Sequence, residues 1–286
     1  PRGSATPWFS LSYSLKYALV ALLLLPLLLG VAGLASVGAY LQQETGGFLL
    51  LTPGGIYLQE RVYRRGEKTI RLAAMIHLGR QEYYRELAQS VGTGRTLILL
   101  EGVSDRDRLL QQSFDYSGFA ELLGLVAQNS LDFAGQPVSP DSLEQEIEDA
   151  GDPAVPHILC ADLDLNQFDA RTIEFLNVVG RTLLNPQAEG FGLSAYRRWV
   201  AEHMDGPMVQ VLMADILHRR NRHLLRILRR SLPHYDTLVV PWGAMHMPAI
   251  EQAVVRAGFH LATKTQRLSL EFGNLPFRQI FKRALR

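Results

Sequence analysis

Short apolar runs alternate with segments of helical period through most of this chain. Ile70, Leu72, Ala73, Ala74, Met75 and Ile76 form one run, which stops on His77-Leu78-Gly79. A segment with Tyr83, Leu87 and Val91 on one stripe follows, and a second run, Leu97-Ile98-Leu99-Leu100, stops on Glu101-Gly102. Apolar runs bounded by turn signals predict buried strands, and the intervening period predicts a helix. Two more runs behave alike: 157–161 ends on Asp162, and 238–242 leads into Gly243-Ala244-Met245-His246. In open parallel sheets ligands bind outside the carboxyl ends of the strands, so His77, Glu101, Asp162 and His246 are predicted to share one crevice. Segments 48–52 and 56–62, joined across Pro53-Gly54-Gly55, predict an antiparallel hairpin before the sheet turns parallel. The last strands are expected at 259–262 and 267–272. The fold class is therefore α/β, a mixed and largely parallel central sheet with flanking helices, preceded by one N-terminal transmembrane helix.

That helix is read from 17–41, which carries no charged residue. Crossing a bilayer takes about 20 apolar residues, and Pro26 is tolerable in a membrane helix. A cleavable signal peptide ending near Ala35 or Ala39 is the competing reading. Lys16 precedes the span and the next basic residue is Arg61, which favours a single-pass protein with its domain on the extracytoplasmic side. The layout expected is a tail over 1–14, whose Pro1-Arg2-Gly3-Ser4 resembles a protease-site linker, an anchor over 15–41 and an α/β domain over 42–275. A basic amphipathic helix over 276–286 follows, with Phe277, Ile280, Phe281 and Leu285 opposite Arg278, Lys282, Arg283 and Arg286. It suits an interfacial helix on anionic lipid or a docked terminal helix.

A long helix is predicted over 209–231, with Val209, Met213, Ile216, Leu224 and Ile227 on its apolar stripe. Arg220 and Asn221 fall on that stripe, while Arg219, Arg222 and Arg226 face outward. A buried charge is costly unless paired, so Arg220 requires an anionic partner, Glu101 or Asp162. That pair is either structural or orients a catalytic carboxylate or a substrate. Asp162 alternatively reads as a helix N-cap. His246 precedes Met247-Pro248 at a helix start, where partial positive charge favours the neutral imidazole. Helical runs such as 119–131 and a solvated acidic cluster (Glu144, Glu146, Glu148, Asp149, Asp152) lie between the second and third runs.

Composition removes several classes. The chain has 286 residues, a net charge of +1 and one cysteine. Near-neutrality argues against nucleic-acid binding, and the lone Cys160, read as a small buried hydrophobe, excludes a disulfide framework or cysteine-rich zinc site. No Gly-x-Ser-x-Gly elbow and no His-Glu-x-x-His helix occurs, and His218 and His223 are wrongly spaced to share a metal on a helix. The chemistry must come from distant positions. His77, Glu101 and His246 are candidate ligands of a divalent ion that would activate water. Without a metal, Glu101 or a histidine is a candidate general base. Arg220 completes the catalytic candidates, and Asn221, Asp162 and Gly243 are the candidate substrate-binding residues.

The order of these motifs resembles the TraB/PrgY/TIKI (GumN-like) family: His77-Leu78-Gly79, Tyr83-Tyr84, Glu101-Gly102-Val103, Arg220-Asn221 and Gly243-Ala244-Met245-His246. The resemblance covers roughly 55–272. It implies an α/β hydrolase-like domain and, as in animal members, membrane-tethered metallopeptidase activity on secreted signals, with manganese, cobalt or zinc as the ion. Bacterial members are linked to control of peptide pheromones, and a distant kinship to erythromycin-esterase-like enzymes implies metal-free hydrolysis instead. Two features depart from the pattern: Ala74-Met75 stands where the family has Gly-Thr or Gly-Ser, and the anchor is N-terminal. The expected function is a membrane-anchored, metal-dependent peptidase acting on a peptide or protein. A tethered peptide-binding protein without turnover is the alternative, and a homo-oligomer stays open.

Overall fold

The structure is a computed structural model describing residues 11–92, 94–112, 116–128, 132–139, 155–184 and 192–284. The acidic cluster of 144–152 lies outside the described residues, as do residues 1–10. The strands are β1 (Leu49–Thr52), β2 (Gly55–Arg65), β3 (Lys68–Met75), β4 (Leu78–Gly79) and β5 (Thr96–Leu100), followed by β6 (Val126–Ala127), β7 (Gln136–Pro137), β8 (His157–Cys160), β9 (Thr237–Gly243) and β10 (His260–Glu271). The helices are α1 (Leu11–Glu44), α2 (Gln81–Gln89), α3 (Ser117–Leu123), α4 (Ala170–Thr182), α5 (Leu193–His203), α6 (Gly206–Met213), α7 (Arg220–Ser231), α8 (Met247–Arg256) and α9 (Phe277–Ala284).

The central sheet is mixed and largely parallel, in the order β1-β2-β3-β9-β5-β8-β7, with β10 also on β2. Its first part is antiparallel: Thr52 pairs with Gly55 across the predicted turn, and β2 pairs with both β3 and β10. From β3 onward every pairing along the sheet is parallel. The apolar runs become its buried centre, where Ile70, Leu72, Leu97, Ile98, Leu99 and Leu238 are fully buried. Glu60, itself buried, holds the antiparallel part together by pairing with Arg71 on β3 and Arg267 on β10. The two strands expected at 259–262 and 267–272 are one strand, β10. Its polar centre, Thr263-Lys264-Thr265-Gln266, pairs with β2 while remaining exposed, so polarity there marks a solvated face and not a turn. The run 119–131 is not one helix either. α3 stops at Gly124, whose left-handed φ of 66° is a helix terminator, and β6 follows.

Helix α2 explains the Tyr83-Tyr84 pair. Both rings are buried; Tyr83 donates to the Ala74 carbonyl and Tyr84 to the Ile76 carbonyl at 2.7 Å, pinning the end of β3 just before His77. Gly79 is required by the same packing. A Cβ there would lie 2.9 Å from Ser269 Oγ and 3.2 Å from the Tyr84 ring and hydroxyl. Gly79→Ala is therefore expected to destabilise the protein by about 1–3 kcal/mol through overpacking, as read from chemical denaturation; no loss would show that the turn after His77 has room to spare.

The helix predicted over 209–231 is interrupted. Ala214–Arg219 forms a π turn between α6 and α7. Upstream, Met208, Leu212 and Asp215 are buried, while Val209 (45% exposed) and Met213 (41% exposed) face solvent. Downstream, Arg220, Asn221, Leu224, Ile227 and Ser231 are buried. A continuous α-helix in phase with 208, 212 and 215 would bury 219 and 222 and turn Arg220 outward. The wider π turn resets the phase, so the upstream part of the predicted stripe was misplaced and the downstream part was not. Asp215 anchors the turn by accepting from Asp169 N–H (2.7 Å), Thr172 Oγ1 (2.7 Å) and Arg219 (2.6 Å).

Helix α1 runs unbroken from Leu11 to Glu44 and docks on β1 by its carboxyl end. Thr45 caps it through the Leu41 carbonyl (2.7 Å), and Arg61, lying over the Phe48 ring, holds the Gly46 carbonyl at 2.7 Å. Residues 28–37 are exposed on every face. The side chains of 17–24, 26 and 27 in the expected span fall outside those described, and among the described residues no helix is long and apolar enough to cross a membrane.

Candidate functional site

Four strand ends meet where the sheet order reverses. β3 leads to His77, β5 to Glu101, β8 to Asp162 and β9 to Gly243 and His246, with α7 supplying Arg220 and Asn221. Arg220 is the hub. Its Nε donates to Asp162 Oδ1 (2.9 Å) and its Nη2 to Asp162 Oδ2 (2.6 Å) and Glu101 Oε1 (2.7 Å). Its Nη1 reaches the Ile216 carbonyl and His246 Nε2, both at 3.3 Å. All five guanidinium N–H groups are thereby engaged. Burial opposes the Arg220 charge, but the Asp162 hydrogen bond and the Glu101 and Asp162 charges outweigh it and raise its pKa.

Both carboxylates are held from a second side. Glu101 Oε2 accepts the Gly243 N–H at 2.6 Å, and Asp162 accepts the N–H groups of Gly102 (3.0 Å) and Leu163 (2.8 Å). Asp162 is thus an ion-pair partner and not a helix cap; the neighbouring cap is Asp164. Two carboxylates face one guanidinium, so the cluster keeps a net negative charge.

His246 has both ring nitrogens occupied. Nδ1 lies 2.7 Å from Asn221 Oδ1, an acceptor, so Nδ1 carries the proton and Nε2 receives Arg220. Burial pushes its pKa down to about 4; the Arg220 charge adds to this, and Glu101 opposes it. The Trp242 ring meets the imidazole edge-on at 5.1 Å, and Trp242 Nε1 donates to the Leu99 carbonyl at 3.0 Å.

Beside this cluster lies a cleft of about 860 Å³ lined in part by Glu101, Arg220, His77, Tyr116 and Gln128. Asp162, Asn221 and His246 stand behind that wall and support Arg220. His77 is exposed and stacks on Tyr116, with ring centroids 4.8 Å apart and planes 8° from parallel. Burial, together with the Glu101 charge, raises the Tyr116 pKa and keeps the phenol protonated. Gln128 joins through its N–H, which donates to the His77 carbonyl at 2.8 Å. Neither Tyr116 nor Gln128 stands out in the sequence: Tyr116 precedes α3 outside any apolar run, and Gln128 falls inside 119–131, where a helix is expected and β6 ends at Ala127 instead. Cys160, read as buried, is exposed, with Sγ 3.1 Å from the Gly102 carbonyl.

The expected metal set does not assemble. The His246 Nε2 lone pair points to a guanidinium, and Glu101 Oε1 is 3.6 Å from that nitrogen with Arg220 bonded to both. A cation held by Glu101 and His246 would have to sit against Arg220. Among the described residues, no three His, Cys, Asp or Glu side chains are placed to hold a metal ion. No family model, curated protein or solved structure matches this chain.

Proposed function

We propose that this chain is a hydrolase of a carbonyl-centred bond, an ester or an amide, with Glu101 as general base. The observation that carries this is the Glu101 carboxylate itself, fixed by Arg220 and the Gly243 N–H in the wall of the cleft that also holds His77 and Tyr116. A carboxylate has about four lone-pair positions, so two remain for a water in the cleft. In this reading Glu101 takes a proton from that water, whose oxygen attacks the carbonyl carbon. The Tyr116 hydroxyl donates to the oxygen that becomes negative, and the proton taken up by Glu101 passes to the leaving group beside His77 in the wall of the cleft. Arg220 and His246 are positioning residues. The hydrolase class agrees with the family resemblance, but the route is metal-free.

Glu101→Gln is expected to lower kcat/KM by about 10²–10⁴, the usual contribution of a positioned base, with the folded state verified by circular dichroism. Tyr116→Phe is expected to lose about 10²–10³ as the removal of one oxyanion donor. Ester and amide turnover by purified protein, before and after chelation, is the test. Activity unchanged in Glu101→Gln would sink the assignment. Turnover only on adding manganese, cobalt or zinc to the chelated protein would restore the metallopeptidase reading, and tight binding without product would make this a binding protein.

We also propose that α1 anchors the domain in a bilayer. An apolar helix exposed all round suits lipid and not water; Leu28, Leu29 and Val31 are each more than half exposed. Salt-resistant association with liposomes, abolished by aspartate at these three positions, tests it; association released by salt would argue against insertion.

A further inference from the structure

We propose that the ligand of the cleft is a linear acyl amide, its unbranched chain lying on the apolar wall and its amide N–H donated to Gln128 Oε1. The placement of its carbonyl beside Glu101 rests on the hydrolase reading; the chain and the N–H do not. The volume, about 860 Å³, falls in the range of small-molecule sites, about 300–1,000 Å³. The apolar side chains that line the cleft include Leu110 after β5, Leu165 and Phe168 after β8, Leu176 in α4 and Ile216 in the π turn, with Asp105 and Arg108 also in the lining. Leu165 and Phe168 are buried and belong to a second apolar cluster against which Leu110 and Leu176 pack. Polar or charged side chains of a ligand would lose their hydration against this wall without a partner, whereas each methylene placed there gains.

Gln128 chooses the head group. Its Oε1 is buried and has no hydrogen-bond partner among the described residues, although Gln128 lines the cleft. A buried acceptor without a donor is costly, and a ligand N–H would relieve it once the Gln128 carboxamide turns into the cleft that the residue lines. An amide carries that N–H next to its carbonyl, as the juxtaposition of Gln128 with Tyr116 and Glu101 requires; an ester does not. A site built to receive a hydrogen bond discriminates against the analogue that lacks the donor more sharply than a hydrophobic wall discriminates by size.

The experiment measures dissociation constants of hexanamide, octanamide, decanamide and dodecanamide, and of the matched methyl esters, on the full chain by competition with a fluorescent apolar probe. Affinity is expected to rise by up to about fourfold per methylene until the wall is covered, and each amide should bind at least about fivefold tighter than its ester. Gln128→Leu should erase the amide preference and keep the chain-length slope, while Leu176→Gln should flatten the slope. No saturable binding, a slope absent from the unmodified protein, or equal affinity for amide and ester overturns the inference without recourse to any variant. Binding with the expected slope but no turnover supports it and removes the hydrolase reading; turnover of polar peptides with no chain-length dependence does the reverse.

Discussion

Arg220→Ala is expected to destabilise the protein by about 3–5 kcal/mol, the usual result of breaking a buried ion pair from one side. The loss has a definite origin. Asp162 is 0% exposed in its side chain and, among the described residues, is left with the backbone donors Gly102 and Leu163 once the guanidinium is gone, while Glu101 is left with the Gly243 N–H. His246 Nε2 and the Ile216 carbonyl lose a donor at the same time. Arg220→Lys should recover little, because one ammonium cannot reproduce a planar fork reaching four partners. Arg222→Ala, on the exposed face, should change stability by no more than about 0.5 kcal/mol. Arg219→Ala should fall between them at about 1 kcal/mol, since this half-exposed arginine still pairs with buried Asp215. Urea denaturation of the four variants decides: equal small effects at 220 and 222 would mean that the cluster does not hold the strand ends together.

Acid is expected to weaken the fold through His246. Its folded pKa, about 4, lies below the ordinary value of 6.5, so between these values the unfolded chain binds a proton that the folded one does not. Stability must then rise with pH in that window. The contribution is fully present above about pH 6.5 and is lost as pH falls towards about 4, amounting to roughly 3 kcal/mol at about 1.4 kcal/mol per unit. The loss also has a geometric meaning. A protonated Nε2 would turn a second donor towards Arg220 in place of the acceptor it now offers. Carboxylates titrate in the same region, so the difference between the unmodified protein and His246→Gln isolates the imidazole. That difference, from urea denaturation at several pH values, should shrink below about pH 6.5; a constant difference would show that His246 does not titrate differently on folding.

Most of the frame was legible because burial on both faces of a parallel strand writes itself as a continuous apolar run. Leu72 to Met75, Leu97 to Leu100 and Leu238 to Trp242 are such runs, and His77, Glu101 and Gly243, just beyond their ends, stand at the crevice. Arg220 was legible for a different reason: a charge in phase with Leu224, Ile227 and Ser231 needs a partner, and the structure supplies two. The upstream stripe was not legible, since no residue type in Ala214–Arg219 encodes a π turn; only the burial of Asp215 and exposure of Met213 report it. The side of the cleft made by Tyr116 and Gln128 was equally hidden, because Tyr116 lies in an irregular segment and the two-residue β6 that delivers Gln128 is too short to show a period. The metal expectation came from residue types at strand ends and was drawn apart from the pairing expected of Arg220, whose guanidinium meets both Glu101 and His246.

The π turn also has a consequence for tracing this chain's ancestry. An α-helix gains such a turn when one residue is inserted and the flanking turns stay where their packing holds them. A relative with one residue fewer between Met213 and Arg220 would run as an unbroken α-helix and bring the counterparts of Arg220 and Asn221 to the strand ends in the same phase, one position closer to Asp215. Fixed-spacing patterns that tie Asp215 to Arg220-Asn221 would therefore pass over it. Homology across this helix has to be scored from two independent anchors, Met208 to Asp215 on one side and Arg220 to Ser231 on the other, with the length between them left free.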